Sequence, residues 1–253
     1  MKYIKNVTQN SADFYVYGDI VDEKTADWWT GEVSSTEVDT NELKQELDDL
    51  QGITDFNIYI NSAGGSVFAS STMVSLLKRF KQNTGAKIHG YIDGLCASAS
   101  TYLLMVADDI NFYQNSIMMI HKPMTVSWGN ADDLQKDIDT LNTIENDMMI
   151  PMYMNKAKVS EDEIKNLIAN ETWFSGNKND DMYIGNFFEA NYLDEPKAVV
   201  ASVSKELFKN YKHVPEALKN IKKEEKVEEV KPIDYSAFEK TLYSIKNREE
   251  TKQ

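Results

Sequence analysis

Along DFYVYGDI, residues 13–20, apolar and polar positions alternate with period two and stop at a Gly-Asp pair, predicting a strand closed by a turn. An acidic stretch holding Trp28 and Trp29 follows. NELKQELDDLQG then has the spacing of an amphipathic helix closed by Gly52. From there the pattern becomes regular. FNIYINS predicts a strand, AGG a tight turn, and SVFASSTMVSLLKRFKQNTG a helix ending near Gly85. AKIHGYIDG predicts a second strand, CASASTYLLMVADD a second helix, and INFYQNSIMMIHKP a third extended segment. Strands alternating with helices imply an α/β fold with parallel pairing between successive strands.

Residues 130–157 carry apolar positions at helical spacing and form the longest predicted helix, with Leu134, Ile138, Leu141 and Ile144 on one face. Pro151 marks a kink or break in it. SEDEIKNLI is a further helix, with Ser160 as its N-cap and Glu163 completing a capping box. ETWFS follows as a short strand or turn. The tail changes character: KKEEKVEEVKP is charged and low in complexity, so residues 1–203 are expected to form the folded domain and 204–253 a flexible extension. DYSAFEKTLYSIKN within that tail has the spacing of a short amphipathic helix. No internal repeat is evident.

Composition narrows the function. The net charge of −14 argues against nonspecific nucleic-acid binding, which depends on neutralising phosphates. Acidic and basic residues balance from Lys222 onward, so the excess acid belongs to the folded body. No apolar run approaches the roughly 20 residues that span a bilayer, and the first 18 residues lack a signal-peptide core. The single cysteine, Cys96, excludes an internal disulfide framework and makes a reducing cytoplasm the expected compartment. His89, His121 and His213 are widely spaced, and with one cysteine they do not make a zinc site. No cofactor or metal is expected.

Three elements carry candidate chemistry. In Gly94-Leu95-Cys96-Ala97-Ser98-Ala99-Ser100 a serine follows a strand and opens a helix of small residues. Free N–H groups there favour developing negative charge, and small neighbours let a substrate backbone approach. Tight packing or capping accounts for the same pattern. In Asn61-Ser62-Ala63-Gly64-Gly65-Ser66-Val67 paired glycines expose N–H groups that could line an oxyanion hole, or simply make a turn. A phosphate loop is less well supported, because the P-loop Lys-Ser/Thr is absent. His121, in Met118-Met119-Ile120-His121-Lys122-Pro123, ends an apolar strand, whereas His89 sits within one and His213 in the tail. If a serine is activated by a histidine, His121 is the best placed of the three.

Taken together, INSAGGSV, GLCASASTYLL and MMIHKP, in this order and spacing, resemble the Clp protease family from about residue 13 to residue 198. YGDI before a tryptophan-containing segment, IDGLxAS and ETWF resemble in particular the head-maturation proteases of tailed phages and prophages. The resemblance implies Ser98 as nucleophile, with Ser100 a packing residue, and His121 as general base. It implies the N–H groups of Gly65 and Ala99 as oxyanion hole. The third triad position falls on Glu171 of ETWF, where housekeeping members carry aspartate; Asp180 and Asp181 are the alternatives. GNKNDDMYIG is an insertion relative to the family, and Asn191 stands where a helix-capping glycine is usual.

The implied fold is α/β, a Clp- and crotonase-like spiral of repeated β-β-α units with residues 130–157 as a projecting handle helix. The implied protein is a serine endopeptidase working as a homo-oligomeric ring on protein or peptide substrates. In a phage setting these would be capsid or scaffold segments in the bacterial host cytoplasm. Extended substrate is expected to pair with a strand edge near the glycine loop. Two alternatives differ in class: a housekeeping subunit served by an ATP-driven (AAA+) unfoldase, and a non-catalytic or crotonase-like relative. The Ser98/His121 pair argues against the second, whose acyl-CoA chemistry does not need it.

Overall fold

Strict alternation of buried and half-buried positions over Ser11–Tyr17 (β2) packs Ala12, Phe14 and Val16 inward and turns Tyr15 and Tyr17 to the other face. The computed structural model describes residues 3–24 and 36–194, together with Tyr211, His213 and Val214. The chain divides into two compact units, Met1–Lys219 and Asn220–Gln253. The second unit, most of the proposed 204–253 extension, and Trp28 and Trp29 lie outside the described residues.

Ile4–Lys5 (β1) runs antiparallel to β2, and Asp19–Val21 (β3) pairs with Glu37–Asp39 (β4) in a small parallel ribbon. Thr40–Asp48 (α1) comes next, capped by the Asp39 carboxylate and ending before Gly52. Asp55–Ser62 (β5), Val67–Thr84 (α2) and Lys87–Ala97 (β6) continue the alternation. Ser66 caps the start of α2, and Gly85 ends it with a φ of 74°. Ile58, Ile60, Ile88 and Ile92 of β5 and β6 join Met73 and Leu77 of α2 in the apolar core. Each such fully buried side chain contributes about 2 kcal/mol. On the other face Tyr59 stacks between Tyr15 and Tyr91, at centroid distances of 5.1 and 4.8 Å.

β6 organises the second half of the sheet. A 3₁₀ turn, Ser98–Ser100, leads into Thr101–Met105 (α3), so the helix begins later than the small-residue pattern predicts. The predicted third extended segment is two strands, Asp109–Phe112 (β7) and Ile117–Ile120 (β8), split by the turn in which Ser116 N–H bonds the Tyr113 carbonyl. Both pair parallel to β6, β7 along His89–Ile92 and β8 along Leu95–Ala97. The sheet therefore changes neighbours partway along one strand.

The predicted 130–157 helix is also divided. Ala131–Thr143 (α4) passes through a π segment, Ile144–Met149, into Ile150–Met154 (α5). The widened turn precedes Pro151, whose nitrogen has no hydrogen to donate. The reciprocal capping box sits at Asn130 and Asp133; Ser160 accepts from the Glu163 N–H at the start of Glu161–Ala169 (α6). No residue of α4 is buried, and Leu134 and Ile138 are exposed. In the stretch before it, Val126 and Trp128 are 98% and 93% exposed.

Thr172–Ser175 (β9) is antiparallel to β8, and after Ile184–Phe187 (α7) the chain enters Asn191–Tyr192 (β10), parallel to β7. Asn191 is thus a strand residue bonded to Asn111, not a helix cap, because α7 has already ended at Phe187. The result is a mixed α/β fold with a central, mostly parallel sheet in the order β1-β2-β5-β6-β7-β10, with β8 and β9 branching from β6. Among the described residues no helix is long and apolar enough to cross a membrane.

Candidate active site

β6 and β8 are parallel with Ala97 opposite Met119, so their C-terminal ends emerge side by side. That is where open parallel sheets place their ligands. Ser98 follows one strand and His121 the other, and Ser98 Oγ lies 2.7 Å from His121 Nε2. Ser98 has a φ of 54°, in the left-handed region that costs a residue with a Cβ about 1–2 kcal/mol. Neighbouring hydroxyls hold it there. Thr101 Oγ1 donates to the Ser98 carbonyl at 2.6 Å and shares a 2.7 Å bond with the Tyr153 hydroxyl. Ser70 donates to the Ala99 carbonyl, and the single hydroxyl hydrogen of fully buried Ser100 faces the Ala97 carbonyl at 2.7 Å, with the Ser62 carbonyl 3.1 Å away as the other acceptor in reach.

The glycine loop presses against this turn. A Cβ on Gly64 would meet Ala97 O and Ser98 Cβ at 2.8 Å, and its φ is 104°. Gly65, with a φ of 140°, forms a parallel bridge with Ile20 made by Ile20 N–H to Gly64 O and Ser66 N–H to Ile20 O. In such a bridge the N–H of the central residue points away from its partner. Gly65 lines a cleft of about 150 Å³ with Ser98, His121, Met124, Met149 and Tyr211.

His121 is 8% exposed. Burial holds its pKa below 6.5, and the Glu171 charge works in the opposite direction. The antiparallel register pairs Ile120 with Thr172; one step further sets His121 opposite Glu171. Glu171 has a φ of 49°, so two of the three triad candidates occupy left-handed backbone. Its Oε1 accepts from the His213 N–H at 2.7 Å and from Trp173 Nε1 at 3.4 Å. Asp180 and Asp181 lie exposed beyond the other end of β9, where Asp180 accepts from the Met182 N–H.

Other candidates resolve structurally. Cys96 is fully buried and its thiol is pushed up to about 12, so it stays protonated. His89 is held between Asp109 and Asp55 on the tyrosine-bearing face. Among the described residues no group of three or more His, Cys, Asp or Glu could hold a metal ion. Two features escaped the sequence. Lys122 pairs with buried Glu145 at 3.0 Å, tying the chain after His121 to the π segment. Tyr211 stands edge-on to His121 at 5.4 Å and to Trp173 at 5.9 Å. Only a Tyr and a Val in a charged tail could have signalled it.

The fold and these residues define a mixed α/β protein with a hydrogen-bonded serine–histidine pair at the ends of parallel strands. A model of the Clp protease family matches residues 33–183. This chain belongs to the Clp protease family, and membership implies a peptidase.

Proposed function

We propose that the chain is a serine endopeptidase with Ser98 as nucleophile, His121 as general base and Glu171 as the carboxylate that supports the imidazolium. The observation that carries this is the 2.7 Å contact between Ser98 Oγ and His121 Nε2, at a serine held in left-handed backbone. His121 takes the Ser98 proton as Oγ attacks a peptide carbonyl, and the tetrahedral oxyanion faces the N–H groups of Gly65 and Ala99. Collapse expels the amine with the proton from His121 and leaves an acyl-serine, which water attacks by the same route in reverse. A buried imidazole kept below its usual pKa is neutral, and so ready to act as base, at pH 7.

The test is labelling with a fluorophosphonate probe followed by peptide mapping. Adduct on the Ser98 peptide is expected, absent in Ser98→Ala and weak in His121→Ala. Correctly folded protein that takes no adduct at any concentration would overturn the reading.

The family acts on protein substrates and typically forms rings. In this chain a projecting handle helix within a spiral fold would serve assembly: Leu134 and Ile138 leave an apolar stripe uncovered on α4. A homo-oligomer of this kind predicts a multimer in native mass spectrometry, and a monodisperse, active monomer would sink it. The finer role, trimming capsid or scaffold segments during phage head maturation in the host cytoplasm, is supported by YGDI, IDGLxAS and ETWF. Co-purification with an ATP-driven unfoldase and ATP-dependent degradation of folded proteins would replace that role with the housekeeping one.

A further inference from the structure

Three contacts seat a remote piece of this chain across the candidate active site. The Tyr211 hydroxyl donates to the Ala63 carbonyl of the glycine loop at 2.8 Å. The His213 N–H donates to Glu171 Oε1 at 2.7 Å. Val214, 6% exposed, packs with Ala63, Leu95, Ala97 and Met119. The segment therefore reaches from the glycine loop, past Ser98 and His121, to the start of β9. Those are the groups an extended polypeptide would meet if it lay beside the nucleophile: a carbonyl on the loop edge, an apolar pocket and a polar anchor.

Resting on the serine-peptidase reading, we infer that the stretch carrying Tyr211, His213 and Val214 is an internal occupant of the substrate groove, which incoming polypeptide must displace. The cleft beside Ser98, with Tyr211 as one wall, is about 150 Å³. Clefts that bury even small ligands begin at about 300 Å³. A polypeptide reaching Ser98 needs that wall moved. The occupant also names a preference. The pocket of Ala63, Leu95, Ala97 and Met119 accepts an aliphatic side chain three positions after an aromatic one, as Val214 follows Tyr211. Burial raises the Tyr211 pKa, so the phenol remains a neutral donor to Ala63.

The contacts allow an opposite role, in which the segment completes the site by fixing Glu171, and the experiment separates the two. Ser98 phosphonylation is timed in full-length wild type, Tyr211→Ala and Val214→Asp. Emptying the groove should speed the reaction by roughly tenfold, because the open fraction rises as each contact is lost. A synthetic peptide of residues 209–216, KNYKHVPE, should slow both variants back toward the wild-type rate. Variant rates equal to or below wild type would overturn the inference, as would acceleration that the peptide leaves untouched. A second readout needs no catalysis: in Ser98→Ala the His213 amide should be protected from hydrogen exchange, and Tyr211→Ala should abolish that protection. If no protein reacts with the probe while the amide is protected, the peptidase reading fails and the seated segment stands. A normal probe reaction with an unprotected amide fails the occupant alone.

Discussion

The two sides of His121 are built differently. On the Ser98 side β6, β8 and the glycine loop after β5 come from the centre of the sheet, and the hydroxyls of Ser70, Ser100, Thr101 and Tyr153 come from helical segments packed on it. The four hydroxyl-bearing residues are fully buried and Gly64 is buried. On the Glu171 side stands an edge strand, β9, met by Tyr211 and His213. Glu171 itself is half-exposed. The buried side leaves one geometry available, so damage there should be close to all-or-none. The edge side acts on the imidazole through charge, across partly solvated contacts, so damage there should be graded.

The sharpest way to break this comparison is Gly64→Ala. The new Cβ would lie 2.8 Å from Ser98 Cβ, and the φ of 104° is closed to alanine without strain. Ser98 must move, and displacement of about 1 Å at a reacting atom costs on the order of 10²-fold or more in kcat/KM. Peptide hydrolysis should fall by at least that factor, alongside a stability loss of about 2–4 kcal/mol in urea titration. A variant that retains most of its activity would show that the glycine loop is only a turn.

Glu171→Gln should have an intermediate effect, roughly 10²-fold on kcat, because Gln keeps an oxygen for the His213 N–H while losing the charge that supports the imidazolium. Its pH profile fixes the cause. Activity requires neutral His121, so the rate rises with pH through the imidazole pKa, which burial has already set below 6.5. Glu171 pushes that pKa up; without it the acid limb should move to lower pH even as the plateau falls. An unmoved limb with an unchanged plateau would remove Glu171 from the triad.

The same division explains what the sequence discloses. Ser98, His121 and the paired glycines are legible because each sits at the end of a regular strand, where period-two burial marks the strand and small residues mark the turn. The α/β alternation is legible for the same reason. The split of INFYQNSIMMIHKP into β7 and β8 is not, since both halves are apolar and extended, and only pairing with successive stretches of β6 separates them. The pattern misplaces the start of α3 because helix propensity says nothing about a serine forced to a φ of 54°. Asn191 reads as a cap by analogy, whereas parallel pairing with β7 decides it. Glu171 can be proposed only by resemblance: its place opposite His121 comes from an antiparallel register across 50 residues. Tyr211 and Val214 are out of reach altogether. They are two apolar residues in a charged tail, and their partners in the glycine loop, β6 and β8 lie more than 90 positions away.

The mildest perturbation tests whether the edge side is graded in the way proposed. Trp173→Phe removes one donor to Glu171 while keeping an aromatic ring against Tyr211. At 3.4 Å that N–H···O contact is long, and a hydrogen bond of this kind contributes under about 1 kcal/mol. One kcal/mol is about a fivefold change, so kcat should fall by less than that, with the acid limb of the pH profile nearly in place. The charge of Glu171 remains, and with it the larger part of its action on His121. If Trp173→Phe instead lowers kcat as far as Glu171→Gln does, the carboxylate works through one fixed orientation and not through its charge. The two sides of His121 would then be equally exacting, and the contrast between a buried, rigid half and a tunable edge would collapse.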